Sequence, residues 1–203
     1  MYLDRYLLNQ LKNVKVPPLL KSKIKEIRSK ISNYKESLSN LVADCLSIAQ
    51  ELELEDDVLW LRSELKGYSR KEGEKEISLM DVIGIEDENH PIYPRISGIR
   101  MIEGQIGVET TSGIKYLDIP IFYSKSVVEI DSSIQKVHSG PGEFSYHCKA
   151  AEIPGVVDIL KADPSEDVKI IFSSNTIESL GRNLRRELFL YIHRAEMIIM
   201  AKK

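Results

Sequence analysis

Ten apolar residues set the strongest constraint on what this chain can fold into. Leu20, Ile24, Ile27, Ile31, Tyr34, Leu38, Leu41, Cys45, Ile48 and Leu52 follow one another in alternating steps of four and three. A stripe held over more than four heptads is a helical pattern, not a strand pattern. It fits one long helix over 19–52, or two helices meeting near Ser32–Ser37, with Asn33 as breaker and Ser37 as N-cap. A sustained heptad favours a helical hairpin or a coiled-coil contact, so Leu20, Ile24, Ile27, Ile31, Tyr34 and Leu38 are the candidate oligomer interface. The same pattern also serves a helix packed on its own domain.

Upstream, Leu3, Leu7, Leu11 and Val14 form a shorter helical stripe, which Pro17-Pro18 ends. Downstream, a helix is expected from Asp56 to Lys66, with acids in its first turn and Gly67 at the left-handed position after its end. Residues 69–76 are charged and poor in apolar side chains, and read as a loop.

The pattern then changes to short β-branched segments separated by Gly and Pro. ISLMDVIGI, IYPRISGIRMI, QIGVET, GIKYLDIPIF, SVVEI, FSYHCKA and Val168–Phe172 read as strands, with a hairpin turn at 109–113. A short helix is expected over 154–162. A final helix of about 175–200 follows, capped by Ser173 or Ser174, with Ile177, Leu180, Leu184, Leu188, Ile192 (or Tyr191), Ala195 and Ile199 inward. Helices, then strands, then a helix make an α+β chain. The expected architecture is heptad-patterned N-terminal helices, a central largely antiparallel sheet, and a long C-terminal amphipathic helix packed on the sheet.

Charge divides the chain. Residues 1–36 hold nine Lys/Arg against three acids, a balance of +6; the whole chain is −3, so the rest carries −9. This suggests a basic helical arm at 1–36 and an α+β domain at 37–203. The partner of such an arm is nucleic acid, a membrane surface or the protein's own acidic body. Nucleic-acid candidates are Lys21, Lys23, Lys25 and Arg28, with Arg182, Arg185 and Arg186 on one face of the last helix. No run of about 18 apolar residues is present, and Asp4 and Arg5 interrupt the first apolar stretch, so neither a transmembrane helix nor a signal peptide is expected. Two cysteines, Cys45 and Cys148, are too few for a disulfide framework. The expected location is cytoplasmic.

Motifs for common chemistries are missing. The sequence has no GxxxxGK[ST], GxGxxG, HExxH, CxxC or GxSxG. His147-Cys148 are neighbours in an expected strand and point to opposite faces. His193 and Glu196 are three apart on a helix, a common spacing. Glu64-Leu65-Lys66 is a Glu-x-Lys, but on a helix its two charges diverge, whereas a nuclease site needs acids converging on a metal. Cys45 lies in the heptad stripe and reads as core. No metal site, cofactor or catalytic residue is expected.

One stretch carries more. LSNLVADCLSIAQELELEDDVLWLRSELKGY, residues 38–68, contains Trp60-Leu61, Glu64-Leu65 and Gly67-Tyr68. It resembles the start of the AbiTii-type domain of bacterial abortive-infection and other anti-phage systems. The likeness extends through Tyr93-Pro94-Arg95-Ile96 and the strand and Arg-containing amphipathic helix of 169–196, over roughly 37–200, and departs from the family at the basic arm and at Pro94. It implies a non-enzymatic defence component that associates with itself or with another defence protein. The alternative is a nucleic-acid-binding or nucleic-acid-cleaving effector working through the arm and the C-terminal arginines. Trp60, Glu64, Gly67, Tyr68, Tyr93 and Arg95 form the candidate cluster. Trp60 and Glu64 share a helix face, so the carboxylate is placed to accept from the indole N–H or from Arg95. This cluster either joins helix to sheet or binds a ligand or partner.

Overall fold

The heptad stripe breaks into two helices. In the computed structural model, which describes residues 19–68, 92–110, 113–140, 144–150, 157, 163, 165 and 167–201, α1 runs Leu20–Ser32 and α2 runs Leu38–Glu51. Asn33 leaves helical geometry, and the Ser37 side chain accepts from the Asn40 N–H, so the breaker and the N-cap act as the sequence indicated. A second cap comes from far along the chain. The Asp131 carboxylate accepts from the Leu38 and Ser39 N–H groups, each at 2.8 Å.

The chain continues with α3 (Glu55–Lys66), α4 (Ile92–Arg100), β1 (Met101–Thr110), β2 (Gly113–Phe122), α5 (Val127–Ser139), β3 (Phe144–Lys149), β4 (Asp167–Phe172) and α6 (Ser174–Ala201). The four strands form one sheet in the order β2-β1-β4-β3, with every neighbour antiparallel. β1 and β2 pair in register from Met101↔Phe122 to Thr110↔Gly113; residues 111–112 of the expected turn lie outside the described residues. The α+β class, the antiparallel sheet and the long C-terminal helix are as the sequence indicated. α6 packs on β1 and is flanked by α1, α2, α4 and α5.

Two segments expected as strands are helices. Ile92, Ile96 and Ile99 step by four and three, so 92–100 follows the helical period, and Pro94 is tolerated because it stands in the first turn. SVVEI begins α5. Ser126 accepts from the Glu129 N–H, and Glu129 accepts in return from the Ser126 N–H at 2.9 Å. This Ser-x-x-Glu capping box outweighs the β preference of two valines. The helix expected at 154–162, apart from residue 157, the loop expected at 69–76, the strand ISLMDVIGI and residues 1–18 lie outside the described residues.

The proposed boundary at residue 36 does not separate two units. Leu20, Ile24, Ile27 and Ile31 are buried in the same core as Leu41, Ile48, Trp60, Leu184 and Ile192. The basic character of α1 belongs to its outer face only. Gly181 lets α6 approach α5 and α2, since a Cβ there would stand 2.6 Å from Ile134 Cδ1.

Candidate functional site

α3 presents Asp57, Trp60 and Glu64 on one face, three and four residues apart, and all three are buried. Around Glu64 the site is closed. Glu64 Oε1 accepts from Trp60 Nε1 at 3.1 Å and from the Tyr68 hydroxyl at 2.8 Å, and Oε2 accepts from Arg100 Nη2. Both members of the Glu64–Arg100 pair have no solvent exposure. Arg100 Nη1 donates to the Lys125 carbonyl at 2.6 Å and the Tyr123 carbonyl at 3.3 Å, and the guanidinium lies 5.0 Å from the Tyr68 ring centroid. Burial, together with the Glu64 charge, pushes the Tyr68 hydroxyl far above its ordinary pKa, so it stays a protonated donor.

Gly67 makes this closure feasible. Its φ is +83° and ψ 173°, a region essentially reserved for glycine, and an added Cβ would sit 2.8 Å from Ser126 N. The backbone of Tyr68 then donates to the Ser124 carbonyl at 2.6 Å. The end of α3, the end of α4 and the loop before α5 are thus tied at one carboxylate.

One helical turn before Trp60 the arrangement is more open. Asp57 Oδ1 accepts from Arg95 Nη1 at 2.7 Å and from Arg194 Nη2. The arginine side chains keep 22% and 28% of their surface exposed. Arg95 stacks 4.8 Å from the Trp60 ring, and Trp60 meets Tyr191 edge-on at 6.4 Å. The Tyr191 hydroxyl donates to the Cys45 carbonyl at 3.3 Å. Burial raises the Cys45 thiol well above its ordinary value, so it is held protonated as a core side chain, as its place in the stripe indicated.

The structure therefore brings Trp60, Glu64, Gly67 and Tyr68 together and separates Arg95 from Glu64. Arg95 belongs to Asp57. Tyr93 lies on α4, and its side chain is outside the described residues. Arg100, the actual cation of the closed cluster, was missed. Its signal was a lone charge set between Ile99 and Ile102. Asp57 was read only among the first-turn acids of the helix from Asp56, and Arg194 only within the segment 169–196.

The candidate oligomer residues are corrected by burial. Leu20, Ile24, Ile27, Ile31 and Leu38 are at most 5% exposed in the chain's own core and offer nothing to a second copy in this fold; Tyr34 alone is open, at 77%. The candidate nucleic-acid face is largely engaged internally. Lys23 pairs with Glu51, Lys30 with Asp44 and Glu26, Arg28 with Glu196, and Arg182 with Glu178. Arg185 points inward and donates to the carbonyls of Ile31, Asn33 and Glu36. Among the described residues Arg186 pairs with its neighbour Glu187, and Lys21 and Lys25 lie on the exposed side of α1. Lys66 is exposed and Glu64 is not, so the Glu-x-Lys pair diverges. Among the described residues no three His, Cys, Asp or Glu side chains converge as a metal site, and no helix is long and apolar enough to cross a membrane.

No family model, curated protein or solved structure matches this chain.

Proposed function

We propose that this chain is a cytoplasmic component of a bacterial anti-phage system of the abortive-infection type, acting as a non-enzymatic module that recognises another defence protein or a second copy. The defence assignment rests on the sequence resemblance through Trp60-Leu61, Glu64-Leu65 and Gly67-Tyr68. The non-enzymatic assignment rests on one observation: the indole, carboxylate and hydroxyl of that motif are bonded to one another and to Arg100 in a site without solvent exposure. A motif used up in this way sets the shape of the module, and recognition falls to its outer surface. The heptad stripe is not that surface, because it fills the core.

Two measurements test the reading. Cells expressing the chain with its neighbouring genes are expected to plate phage at reduced efficiency; unchanged plating removes the defence assignment. Fluorescence anisotropy with labelled duplex and single-stranded oligonucleotides at low salt is expected to stay flat, because Lys23, Arg28, Lys30, Arg182 and Arg185 already have protein partners. Binding that weakens steeply with salt overturns the module reading in favour of a nucleic-acid effector.

A further inference from the structure

The two carboxylates on the buried face of α3 differ in how their charge is matched. Glu64 faces one guanidinium, and that pair is neutral and closed. Asp57 faces two, Arg95 and Arg194, so its cluster carries +2 − 1 = +1. Among the described residues no other acid pairs with either arginine. α4 contains no acid, and Glu178, Glu187 and Glu196 of α6 pair with Arg182, Arg186 and Arg28. Both arginines donate to the same oxygen, Asp57 Oδ1, so at ordinary hydrogen-bond lengths the two donors stand at most about 6 Å apart. Two cations this close, sharing one anion, hold a net positive potential.

Their remaining donors are open. A guanidinium presents two edges, Nε with Nη2 and Nη1 with Nη2. Arg95 uses Nη1 on Asp57, and among the described residues nothing meets its Nε/Nη2 edge. Arg194 uses Nη2, and its Nη1 has no described partner. These nitrogens reach solvent. Among the described residues the unpartnered nitrogens shut from it are Arg194 Nε and, in the closed cluster, Arg100 Nε. The forks are also held in place. Arg95 lies 4.8 Å from the Trp60 ring centroid and Arg194 lies 5.8 Å from that of Tyr191. A guanidinium already fixed on a ring loses little freedom when an acceptor arrives.

The chemistry of the acceptor follows. Both rings are buried, so no aromatic face is left for a base or another flat group to stack on, and only an oxyanion enters. One negative charge balances the cluster, whereas a phosphate dianion would take it to about −1. A carboxylate also matches the Nε/Nη2 edge with two parallel hydrogen bonds. We infer that Arg95 and Arg194 form a carboxylate-binding site, with the Nε/Nη2 edge of Arg95 as the bidentate contact and Arg194 Nη1 beside it. Asp57 holds the two forks at their spacing. The carboxylate belongs to an acidic side chain of a protein partner; that source rests on the module reading, and the site itself does not.

The test follows the arginine Nε–H signals of the full chain by NMR. Arg95→Lys and Arg194→Lys each delete one signal and so assign the pair. Sodium acetate, with ionic strength held constant by chloride, is expected to shift both signals along a saturating curve with a Kd on the order of 10 mM, while the Arg100 signal stays in place. Arg95→Lys keeps the charge but loses the fork, and is expected to weaken acetate about tenfold, read on the Arg194 signal. A linear drift equal to that in chloride alone, or an acetate curve unchanged in Arg95→Lys, overturns the site. Inorganic phosphate binding more tightly than acetate overturns the carboxylate assignment. A capped peptide with one Glu is expected to move the same signals, and its Gln counterpart to leave them unmoved. Acetate binding without Glu-peptide binding keeps the site and overturns the protein source, leaving a free small carboxylate as the ligand. Phage plating, which tests the defence reading, is separate from each of these results.

Discussion

Asp57 and Glu64 stand seven residues apart on the same face of α3, yet they are held differently. Glu64 has one guanidinium, one indole and one phenol around it, with no water contact at the ion pair. Asp57 has two guanidiniums that keep part of their surface in solvent. A carboxylate sealed from water depends on every partner, because the loss of one leaves a charge that nothing else can solvate. A carboxylate with two partners near solvent loses one and keeps the other, and water fills the gap.

The largest expected effect follows from that contrast. Arg100→Met or Glu64→Leu alone is expected to cost about 3–5 kcal/mol, read from urea denaturation. The pair replaced together is expected to cost clearly less than the sum of the singles. Additive costs would mean that the two charges are not coupled and would end the comparison. Gly67→Ala comes next, at about 1–3 kcal/mol for the backbone alone, with more for the contact against Ser126. A neutral outcome would show that the α3 end is not fixed by its close approach to that loop.

At the open cluster, Arg95→Ala and Arg194→Ala are each expected to cost about 1 kcal/mol, and the double variant more than their sum, since only then is Asp57 left alone. If either single change matched Arg100→Met, the distinction between sealed and open clusters would fail. The smallest effect concerns the loop that closes over Arg100. Partial burial raises the Glu129 carboxyl, but hydrogen bonds from the Ser126 N–H and hydroxyl, with Lys125 nearby, hold it below its ordinary value of 4.5. A carboxyl depressed in the folded state adds stability above its unfolded value and loses it as pH falls through the folded one. Half-exposed as it is, its contribution is on the order of a few tenths of a kcal/mol. Denaturation midpoints of Glu129→Gln and the parent are therefore expected to differ at pH 7 and to converge as pH falls below 4.5.

The same contrast explains what was readable in advance. Trp60 to Glu64 is a contact within one helix, so its spacing announces it. Arg100 and Arg194 reach α3 from 36 and 137 residues away, and no local pattern reports a distance of that kind. Arg95 was assigned to Glu64 because both belonged to the recognised stretch; the turn of α4 places it about two helical turns earlier on α3, at Asp57. The strands were legible where apolar residues alternate over a hairpin, as in β1 and β2. They were misread at Ile92 and Val127, where β-branched residues occur but the period is helical or a capping box is present. The heptad marked 19–52 as helical but left one helix or two open; Asn33 and the Ser37 N-cap decide for two. It could not tell whether its apolar face meets another chain or α6, since the two contacts use the same spacing.

The turn between α1 and α2 has a consequence for how the protein is made. Asp131 caps the start of α2, and Arg185 ties the carbonyls of Ile31, Asn33 and Glu36. Those partners lie about 90 and 150 residues further along the chain. During synthesis at about 5–20 residues per second, the first hairpin leaves the ribosome well before either side chain exists. Its turn stays unpinned for roughly 5–30 s, and among the described helices the last in order is the one that fastens the first two.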